Sequence, residues 1–497
     1  MRKEFTWRSL SLASIFAMIG ILIIVQMTRI QVSTEAADFR EQATRYKGWV
    51  ETVYPARGEI YDRNGNLLAG NQSVFEVGVT LQNIENAQSI AAILSTVLSV
   101  DYIETLTLIN NADEDQVYLR VADYVSSVQV EELRRIQGNI EEDNLNNSQE
   151  GQDSLAGLNF RRHLARSYPE NAIASNIIGF VNQSGRGYFG IEEKYNDLLA
   201  GNAVQVWVPA DPNRVEEIPH VPDGTTLVLT INRELQASTE QILDQSLYNY
   251  GAESGTIIVM DPKNGEILAM ASTPRLNLDN YSQYDQIFNS ASEYNRAINM
   301  PYEPGSVFKI LTMAAALDMG IVTPQTTYVD IGSFSINGTV IRNWDQGAWG
   351  LQDMTGCLRH SLNVCMAWIA TEMGTDNFYD YMSNFGIGHP TGIDLSGEAG
   401  GRLKVPGDAD WYPIDLATNS FGQGVTTTPI QMLMATSAVA NDGKMVAPHI
   451  LYGMVRNGKQ YDFPPQDAGT PISKGAAQAL SEMVQLPFLR LAFLHLG

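Results

Sequence analysis

A serine and a lysine three residues apart form the first candidate catalytic pair in the sequence. Ser306 and Lys309 lie at the start of a strongly apolar stretch over Val307–Met319 and directly after Pro304 and Gly305, residue types that are typical of a helix start. Residues three apart face the same side of a helix, with Cβ atoms about 5–6 Å apart, so we expect Lys309 to reach the Ser306 hydroxyl. A neutral lysine amine can serve as the base that activates a serine nucleophile.

This chemistry requires a lysine amine that is neutral near pH 7. Because the pKa of a free lysine is about 10.4, it must fall by about three units, at a cost of about 4 kcal/mol. Burial in an apolar pocket and a nearby cation can supply that shift, and the positive end of a helix favours the developing oxyanion. An isolated Ser-x-x-Lys is more often a helix cap with a solvated lysine, so this spacing alone does not establish an enzyme.

A Ser-x-Asn sequence further along the chain is the second candidate element. Ser361 and Asn363 lie between two helical runs, Met354–Arg359 and Val364–Met373. A serine hydroxyl at such a turn can relay a proton, and the asparagine amide can bond both the lysine and a substrate backbone. By itself this turn is also compatible with an ordinary loop.

Taken together, the two elements resemble the first two signatures of the penicillin-recognising serine enzymes. Other segments resemble motifs of the class B penicillin-binding proteins, in family order and over most of the chain. They are Arg57-Gly58 with Asp62-Arg63-Asn64-Gly65, Gly190-Ile191-Glu192, Asn295-Arg296-Ala297 ahead of Glu303-Pro304-Gly305-Ser306, Phe421-Gly422-Gln423-Gly424 followed by Thr428-Pro429-Ile430-Gln431, and Ala440-Asn441-Asp442-Gly443 with Pro448-His449.

The resemblance implies an α+β protein with a transmembrane helix, an elongated non-catalytic pedestal and a transpeptidase domain whose central antiparallel sheet is flanked by helices. It implies that Ser306, assisted by Lys309, Ser361 and Asn363, forms an acyl-enzyme with a D-Ala-D-Ala stem peptide, which the amine of a neighbouring strand then resolves. Penicillins are expected to acylate the same serine. The implied partners are stem peptides, β-lactams, the membrane and a membrane glycan polymerase of the shape, elongation, division and sporulation family. No cofactor is expected, and the choice between division, elongation and sporulation is left open.

The third signature of the family, Lys-Thr/Ser-Gly on a strand, is missing from these 497 residues. Lys263-Asn264-Gly265 precedes Ser306 and has a turn composition, and Ser473-Lys474-Gly475 has the wrong order. After a helix predicted over Gly475–Val484, residues 485–497 read QLPFLRLAFLHLG, without strand alternation or turn residues. We interpret this anomalous tail as the product of a truncated or frameshifted gene. It removes a cation beside Lys309 and one oxyanion donor, which alone is worth about 10²–10³ in rate.

Composition excludes several other functions. A formal net charge of −24 makes nucleic acid an unlikely partner. The acidic run at Glu141-Glu142-Asp143, which continues toward Asp153, is interpreted as a solvated loop. The six histidines show no metal-ligand spacing, so no metal site is expected. If one helix continued from Cys357 to Cys365, the two cysteines would lie about 12 Å apart, too far for a disulfide, so both are interpreted as small buried apolar residues.

The N-terminus predicts a membrane anchor. Ser9–Thr28 carries no charge and is mostly apolar, and about 20 helical residues span the hydrocarbon core of a bilayer. Arg2, Lys3 and Arg8 precede it, which places the N-terminus in the cytoplasm and the bulk of the chain outside. A cleaved signal peptide is the alternative, but its apolar region is usually about 7–15 residues long.

Periodicity and turn signals predict the remaining organisation. The expected domains are a cytoplasmic tail (1–8), the anchor (9–28), the pedestal (29–222), the transpeptidase domain (223–484) and the tail (485–497). Helices are predicted over Glu35–Arg45, Ala87–Leu98 and Arg233–Tyr248, and strands over Val74–Thr80, Thr225–Thr230, Gly255–Met260 and Glu266–Met270, with a hairpin turn at Asn64-Gly65.

Two hypotheses for the function follow. The first is a serine D,D-transpeptidase whose activity in this form is in doubt because the third signature is missing. The second is a non-catalytic scaffold that binds cell-wall synthesis partners. A penicillin-sensing receptor is disfavoured because one N-terminal span leaves almost no cytoplasmic signalling region. The long pedestal argues against a D,D-carboxypeptidase and against a β-lactamase.

Overall fold

The computed structural model describes residues 2–32, 48–113, 116–146, 153–209, 221–288, 294–336 and 338–494. The helix predicted over Glu35–Arg45 lies outside these ranges. The described helices are α1 (Arg2–Val32), α2 (Ala87–Leu98), α3 (Tyr102–Asn110), α4 (Ser127–Asn146), α5 (Ser175–Ile178), α6 (Gly190–Lys194), α7 (Asn196–Ala200), α8 (Arg233–Tyr250), α9 (Tyr284–Ile287), α10 (Arg296–Asn299), α11 (Lys309–Asp318), α12 (Met354–Arg359), α13 (Asn363–Met373), α14 (Thr375–Asn384), α15 (Pro413–Asn419), α16 (Pro429–Ala440) and α17 (Lys474–Leu494).

The strands pair almost entirely antiparallel, as is typical of an α+β fold. They are β1 (Gly48–Val53), β2 (Ile60–Tyr61), β3 (Leu67–Thr80), β4 (Tyr118–Ser126), β5 (Leu158–Ser167), β6 (Phe180–Val181), β7 (Gly187–Tyr188), β8 (Val204–Pro209), β9 (Thr226–Leu229), β10 (Thr256–Met260), β11 (Ile267–Ser272), β12 (Thr327–Asp330), β13 (Ser333–Ile336), β14 (Thr339–Arg342), β15 (Gly350–Asp353), β16 (Met445–Val446), β17 (Leu451–Arg456), β18 (Lys459–Asp462) and β19 (Asp467–Gly469).

The chain divides into two compact units. The smaller unit comprises the described parts of residues 1–55 and 201–223, where β1 pairs antiparallel with β8 and α1 forms one long helix. Within α1, the segment Leu10–Arg29 is long and apolar enough to cross a membrane, and none of it is buried. This agrees with a single-pass anchor. The predicted boundary between residues 222 and 223 stays a prediction.

The larger unit, residues 56–200 and 224–497, contains a seven-stranded sheet in the order β18-β17-β9-β2-β3-β4, with β5 on the other side of β3. The predicted hairpin joins β2 to β3. Gly65 has a φ of +87°, which glycine adopts freely, and the Asp62 carboxylate accepts the N–H groups of Asn64 at 2.8 Å and Asn66 at 2.7 Å. The first hairpin of this sheet along the chain therefore forms at the turn that the sequence predicted.

This unit contains two further layers. The antiparallel pair β10–β11 packs against α8, which the Asn232 side chain caps by accepting the N–H of Leu235. A helical layer of α11 to α17 encloses a core that includes Phe308, Leu362 and Cys365. Thr428 starts α16 with a reciprocal capping box to Gln431. Phe308 and Leu362, both buried in that core, anchor the turn before α11 and the loop before α13.

Two expectations differ from the structure. The acidic run Glu141-Glu142-Asp143 was expected in a loop, yet it forms part of α4, with all three side chains exposed. A helix tolerates such a run when it points entirely to solvent, because glutamate is a good helix former. The helix expected to end at Val484 continues in α17 to Leu494 and includes Pro487.

Candidate functional site

Ser306 lies in a short 3-10 turn, Gly305–Phe308, immediately before α11. Gly305 has a φ of +59°, and its N–H donates to the carbonyl oxygen of Gly422 at 3.0 Å. A Cβ atom on Gly422 would lie 2.2 Å from the Gly305 oxygen, so only glycine allows these two loops to approach. The Phe421-Gly422-Gln423-Gly424 segment thus packs against the serine loop at Gly305, while Ser306 itself is exposed.

Lys309 is the buried base candidate. Its side chain is only 2% exposed, and its Nζ donates to the carbonyl oxygen of Ser361 at 2.6 Å and to the Ser361 Oγ at 2.8 Å. Burial lowers the pKa of Lys309 from 10.5 to about 8. Part of the shift required for a neutral amine near pH 7 therefore exists without a third-signature cation.

Ser361 connects this lysine to the nucleophile candidate. Its Oγ donates to the Ser306 Oγ at 2.9 Å. The sequence predicted that Lys309 can reach the Ser306 hydroxyl, and in the described residues the hydrogen bonds between these two side chains run through the Ser361 hydroxyl. Ser306, Ser361 and Lys309 thus form one line of hydrogen-bonded groups through which a proton can pass.

Asn363 lies apart from this line. It is the first residue of α13, and its Nδ2 donates to the carbonyl oxygen of Arg342 at the end of β14, at 3.2 Å. In the described structure its amide bonds neither Lys309 nor Ser361. The sequence expected an amide that bonds the lysine, whereas the structure anchors it to the neighbouring strand. Three of the four candidate residues are therefore joined by hydrogen bonds through Ser361, and the described hydrogen bond of the Asn363 side chain goes to Arg342 instead.

Two family models and a set of curated relatives match this chain. The models are the penicillin-binding protein dimerisation domain, over residues 52–229, and the penicillin binding protein transpeptidase domain, over residues 255–487. Stage V sporulation protein D of Bacillus subtilis is 32% identical over 80% of this chain, and the peptidoglycan D,D-transpeptidase MrdA of Acinetobacter baumannii is 29% identical over 81%. The chain belongs to the class B penicillin-binding proteins.

This penicillin-binding protein spans less than two thirds of the length of those two relatives, 59% of the first and 62% of the second. Among solved structures it is similar to penicillin-binding protein 2X from Streptococcus thermophilus, with a TM-score of 0.70 and 23% identity. That likeness covers 88% of this chain and 66% of the other. At this identity it shows that the two proteins share a fold.

Sequence reasoning missed a pair of buried residues that fixes the loop beside the site of this penicillin-binding protein. The Asp330 Oδ2 accepts the Asn343 Nδ2 at 2.8 Å and the backbone N–H of Trp349 at 3.0 Å. The Asn343 Oδ1 in turn accepts the N–H of Val364 in α13 at 3.3 Å. No signal in the sequence links Asp330 to Asn343, because their pairing depends on how the β13–β14 hairpin packs against the β12–β15 pair that encloses it in the sequence.

The structure contradicts the interpretation of the cysteines. Cys357 and Cys365 form a disulfide, with Cα atoms 6.2 Å apart. The 12 Å expectation assumed one continuous helix, but α12 ends at Arg359 and the chain reverses at Ser361, whose φ is +52°, before α13 begins at Asn363. That reversal brings the two sulfur atoms together around the Ser-x-Asn turn.

Two of the remaining motifs of this penicillin-binding protein contact each other in space, and both lie far from Ser306 in the sequence. The Glu192 carboxylate, fully buried, accepts the Arg57 Nε at 2.7 Å through Oε2 and the Arg166 Nε at 2.7 Å through Oε1. Arg166 also donates to the carbonyl oxygen of Gly58 at 2.8 Å. The Arg57-Gly58 and Gly190-Ile191-Glu192 segments therefore act together as a structural ion cluster, and Arg166 is a partner that the sequence did not reveal.

Proposed function

We propose that this chain is a peptidoglycan D,D-transpeptidase that works through an acyl-enzyme on Ser306. The observation that carries the proposal is the hydrogen-bonded line Lys309–Ser361–Ser306 with a lysine whose pKa is lowered. The exposure of Ser306 gives a substrate carbonyl access to the nucleophile. The transpeptidase family model and the printed name of the Acinetobacter relative support the same reaction class.

In the first half-reaction, the Ser306 Oγ attacks the carbonyl carbon between the two terminal D-alanines of a stem peptide. With both hydroxyls rotated to donate toward the lysine, the Ser306 proton passes to the Ser361 Oγ while the Ser361 proton passes to the neutral Lys309 Nζ, and a bond forms between the serine oxygen and the acyl carbon. When the peptide bond breaks, the departing D-alanine amine takes that proton back from Lys309 along the same line. The Ser306 N–H, at the positive end of α11, is one donor to the oxyanion.

In the second half-reaction, the amine of a neighbouring stem peptide attacks the ester carbonyl. Its proton passes to Lys309, the serine oxygen leaves and recovers a proton, and a cross-link forms. A β-lactam acylates Ser306 in the same way, but its opened ring stays attached and no leaving group departs. The Asn363 carboxamide, next to the turn, orients the substrate backbone in this proposal.

The setting follows from the anchor. We infer that α1 is a single membrane span with the N-terminus in the cytoplasm and residues after Arg29 on the outer side, where stem peptides are found. Stem peptides, β-lactams and a membrane glycan polymerase are the proposed partners. A non-catalytic scaffold is the second candidate, and the observation that favours it is the absence of a Lys-Thr/Ser-Gly sequence from these 497 residues.

Covalent labelling of the detergent-solubilised full chain by a fluorescent penicillin separates the two candidates. We expect slow labelling that maps to the Ser306 peptide and disappears in Ser306→Ala. Lys309→Ala should slow it by at least about 10², because the base is lost while the nucleophile remains. Asn363→Ala should slow it less.

The matched control is Ser335→Ala, which removes an exposed hydroxyl on β13 and should label like the unmodified chain. Absence of any labelling of a folded chain, even after hours at high penicillin concentration, would overturn the transpeptidase proposal in favour of the scaffold. Labelling that persists in Ser306→Ala would mean that the nucleophile is a different residue.

A further inference from the structure

The Cys357–Cys365 disulfide encloses the Ser-x-Asn turn. Cys357 lies on α12 and Cys365 on α13, and neither has exposed surface. The residues between them, 358–364, include Ser361, which carries both hydrogen bonds of Lys309, and Asn363. A covalent bond thus spans the two ends of the segment that connects the base candidate to the nucleophile candidate.

Ser361 occupies a backbone conformation that needs support. Its φ of +52° lies in the left-handed region, which residues with a side chain rarely adopt. Its N–H donates to the Leu358 carbonyl oxygen at 3.0 Å, and the N–H of Leu362 donates to the Cys357 carbonyl oxygen at 3.0 Å. Both bonds fall inside the loop that the disulfide closes, so the disulfide and the two hydrogen bonds constrain the same reversal.

The position of the Ser361 hydroxyl matters because it is the group that links Lys309 to Ser306 in the line of hydrogen bonds. The Ser361 Oγ must lie within hydrogen-bond distance of both the Lys309 Nζ, at 2.8 Å, and the Ser306 Oγ, at 2.9 Å. If the turn relaxed toward an ordinary helical connection, the hydroxyl would leave both partners together. A small displacement of a positioning group can cost large factors in rate.

We propose that the Cys357–Cys365 disulfide is a positioning group that holds Ser361 between Lys309 and Ser306. The part of this proposal that concerns reaction rate rests on the proposed transpeptidase function, whereas the part that concerns the position of Ser361 rests on geometry alone. An extracytoplasmic location is compatible with the bond, because disulfides form and persist in oxidising compartments.

The surroundings of Lys309 supply a readout that does not depend on catalysis. Among the described residues no ion pair involves Lys309. Two titratable side chains of neighbouring segments are engaged elsewhere: the His360 ring stacks on Trp349 with the ring centroids 3.8 Å apart, and the Glu303 Oε1 accepts the N–H of Gly424 at 2.8 Å. Burial alone holds the pKa of Lys309 near 8. Opening the turn would admit water to the amine and raise its pKa toward 10.5.

The experiment measures this amine in the full chain. Lys309 is acetylated with trace acetic anhydride between pH 6 and pH 11, and the extent of modification is read by mass spectrometry, which gives the midpoint of its titration. The disulfide-bonded chain is compared with Cys357→Ser/Cys365→Ser. We expect a midpoint near 8 in the bonded chain and a midpoint higher by at least about one pH unit in the double variant, which corresponds to about a tenfold loss of neutral amine at pH 7.

Penicillin acylation at pH 7 is measured on the same samples and should fall by at least about tenfold in the double variant. A shifted midpoint without acylation of either chain would support the positioning role and overturn the proposed function. Equal midpoints and equal acylation rates in two folded proteins would overturn the positioning role and leave the function intact. Free thiols at both cysteines in chain purified without reductant would also overturn it.

Reduction of the unmodified chain covers the case in which the double variant does not fold. Dithiothreitol supplies the two electrons and two protons that convert the disulfide to two thiols, and is itself oxidised to a cyclic disulfide. The rise in the Lys309 midpoint should appear on reduction and reverse on reoxidation with oxidised glutathione. The same treatment of a folded double variant should change nothing. A reduced chain that keeps its original midpoint would contradict the proposal.

Discussion

Replacing Lys309 with methionine should stabilise the protein while it abolishes the proposed activity. A pKa lowered from 10.5 to about 8 means that the protonated amine in the folded state costs about 3 kcal/mol, at about 1.4 kcal/mol per unit. Methionine has a similar length and no charge to bury. It loses the hydrogen bonds to the Ser361 carbonyl and hydroxyl, each worth about 1 kcal/mol, so we expect a net gain of about 1–2 kcal/mol in the free energy of unfolding at pH 7.

The pH dependence gives this prediction its signature. Between about pH 8 and pH 10.5 the unfolded chain holds a proton on Lys309 that the folded chain does not, so the free energy of unfolding of the unmodified protein rises with pH across that window. Below pH 8 the amine is protonated in both states and the full cost remains. The advantage of Lys309→Met should therefore be complete below about pH 8 and should shrink steadily as the pH approaches 10.5.

Thermal unfolding followed by tryptophan fluorescence measures the effect. For a domain of this size a gain of 1 kcal/mol raises the Tm by about 2–4 °C. Lys263→Met is the matched control, because Lys263 is exposed in the β10–β11 turn and its loss should leave the Tm nearly unchanged at every pH. A Lys309→Met protein that melts below the unmodified chain at pH 7 would show that the amine is not held at a cost, and the argument for a neutral base would fail with it.

Three other outcomes follow from the structure. Glu192→Gln leaves Arg57 and Arg166 buried without their counter-charge, so the free energy of unfolding should fall by about 3–5 kcal/mol, read as a lower Tm. Gly422→Ala pushes a Cβ atom against the Gly305 oxygen, so penicillin acylation should slow by up to about 10² while far-UV circular dichroism stays unchanged. A protein of exactly these 497 residues contains no Lys-Thr/Ser-Gly, so it should be acylated at least about 10³-fold more slowly than a relative that has one, and labelling within minutes would contradict that expectation.

Local patterns in the sequence predicted much of the fold. The helix over Ala87–Leu98 has the predicted bounds. The strand predicted at Val74–Thr80 forms the second half of β3, and the strand predicted at Thr225–Thr230 extends one residue beyond each end of β9. These segments combine a clear period with a cap or a turn residue, so nearby residues determine them. The four candidate site residues came from spacing and resemblance together, and their roles remain predictions.

What the sequence could not predict depends on distant contacts. Serine rarely adopts left-handed backbone, so no residue type in the sequence indicated the chain reversal at Ser361 or the disulfide that this reversal permits. The Asp330–Asn343 pair and the attachment of Arg166 to Glu192 each join segments whose proximity follows only from the packed fold. Patterns among residues that are close in the sequence cannot predict such contacts.

The pairing of β9 also sets the order of events during synthesis. Leu227 lies opposite Ile60 on one side and Met454 on the other, so the middle of the large sheet unites the beginning and the end of the unit. At about 5–20 residues per second, a ribosome needs roughly 11–45 s to add the residues between Leu227 and Met454. For that time one edge of β9 has no partner. A nascent chain halted before Leu451 should therefore be a better target for chaperones and proteases than one halted shortly afterwards.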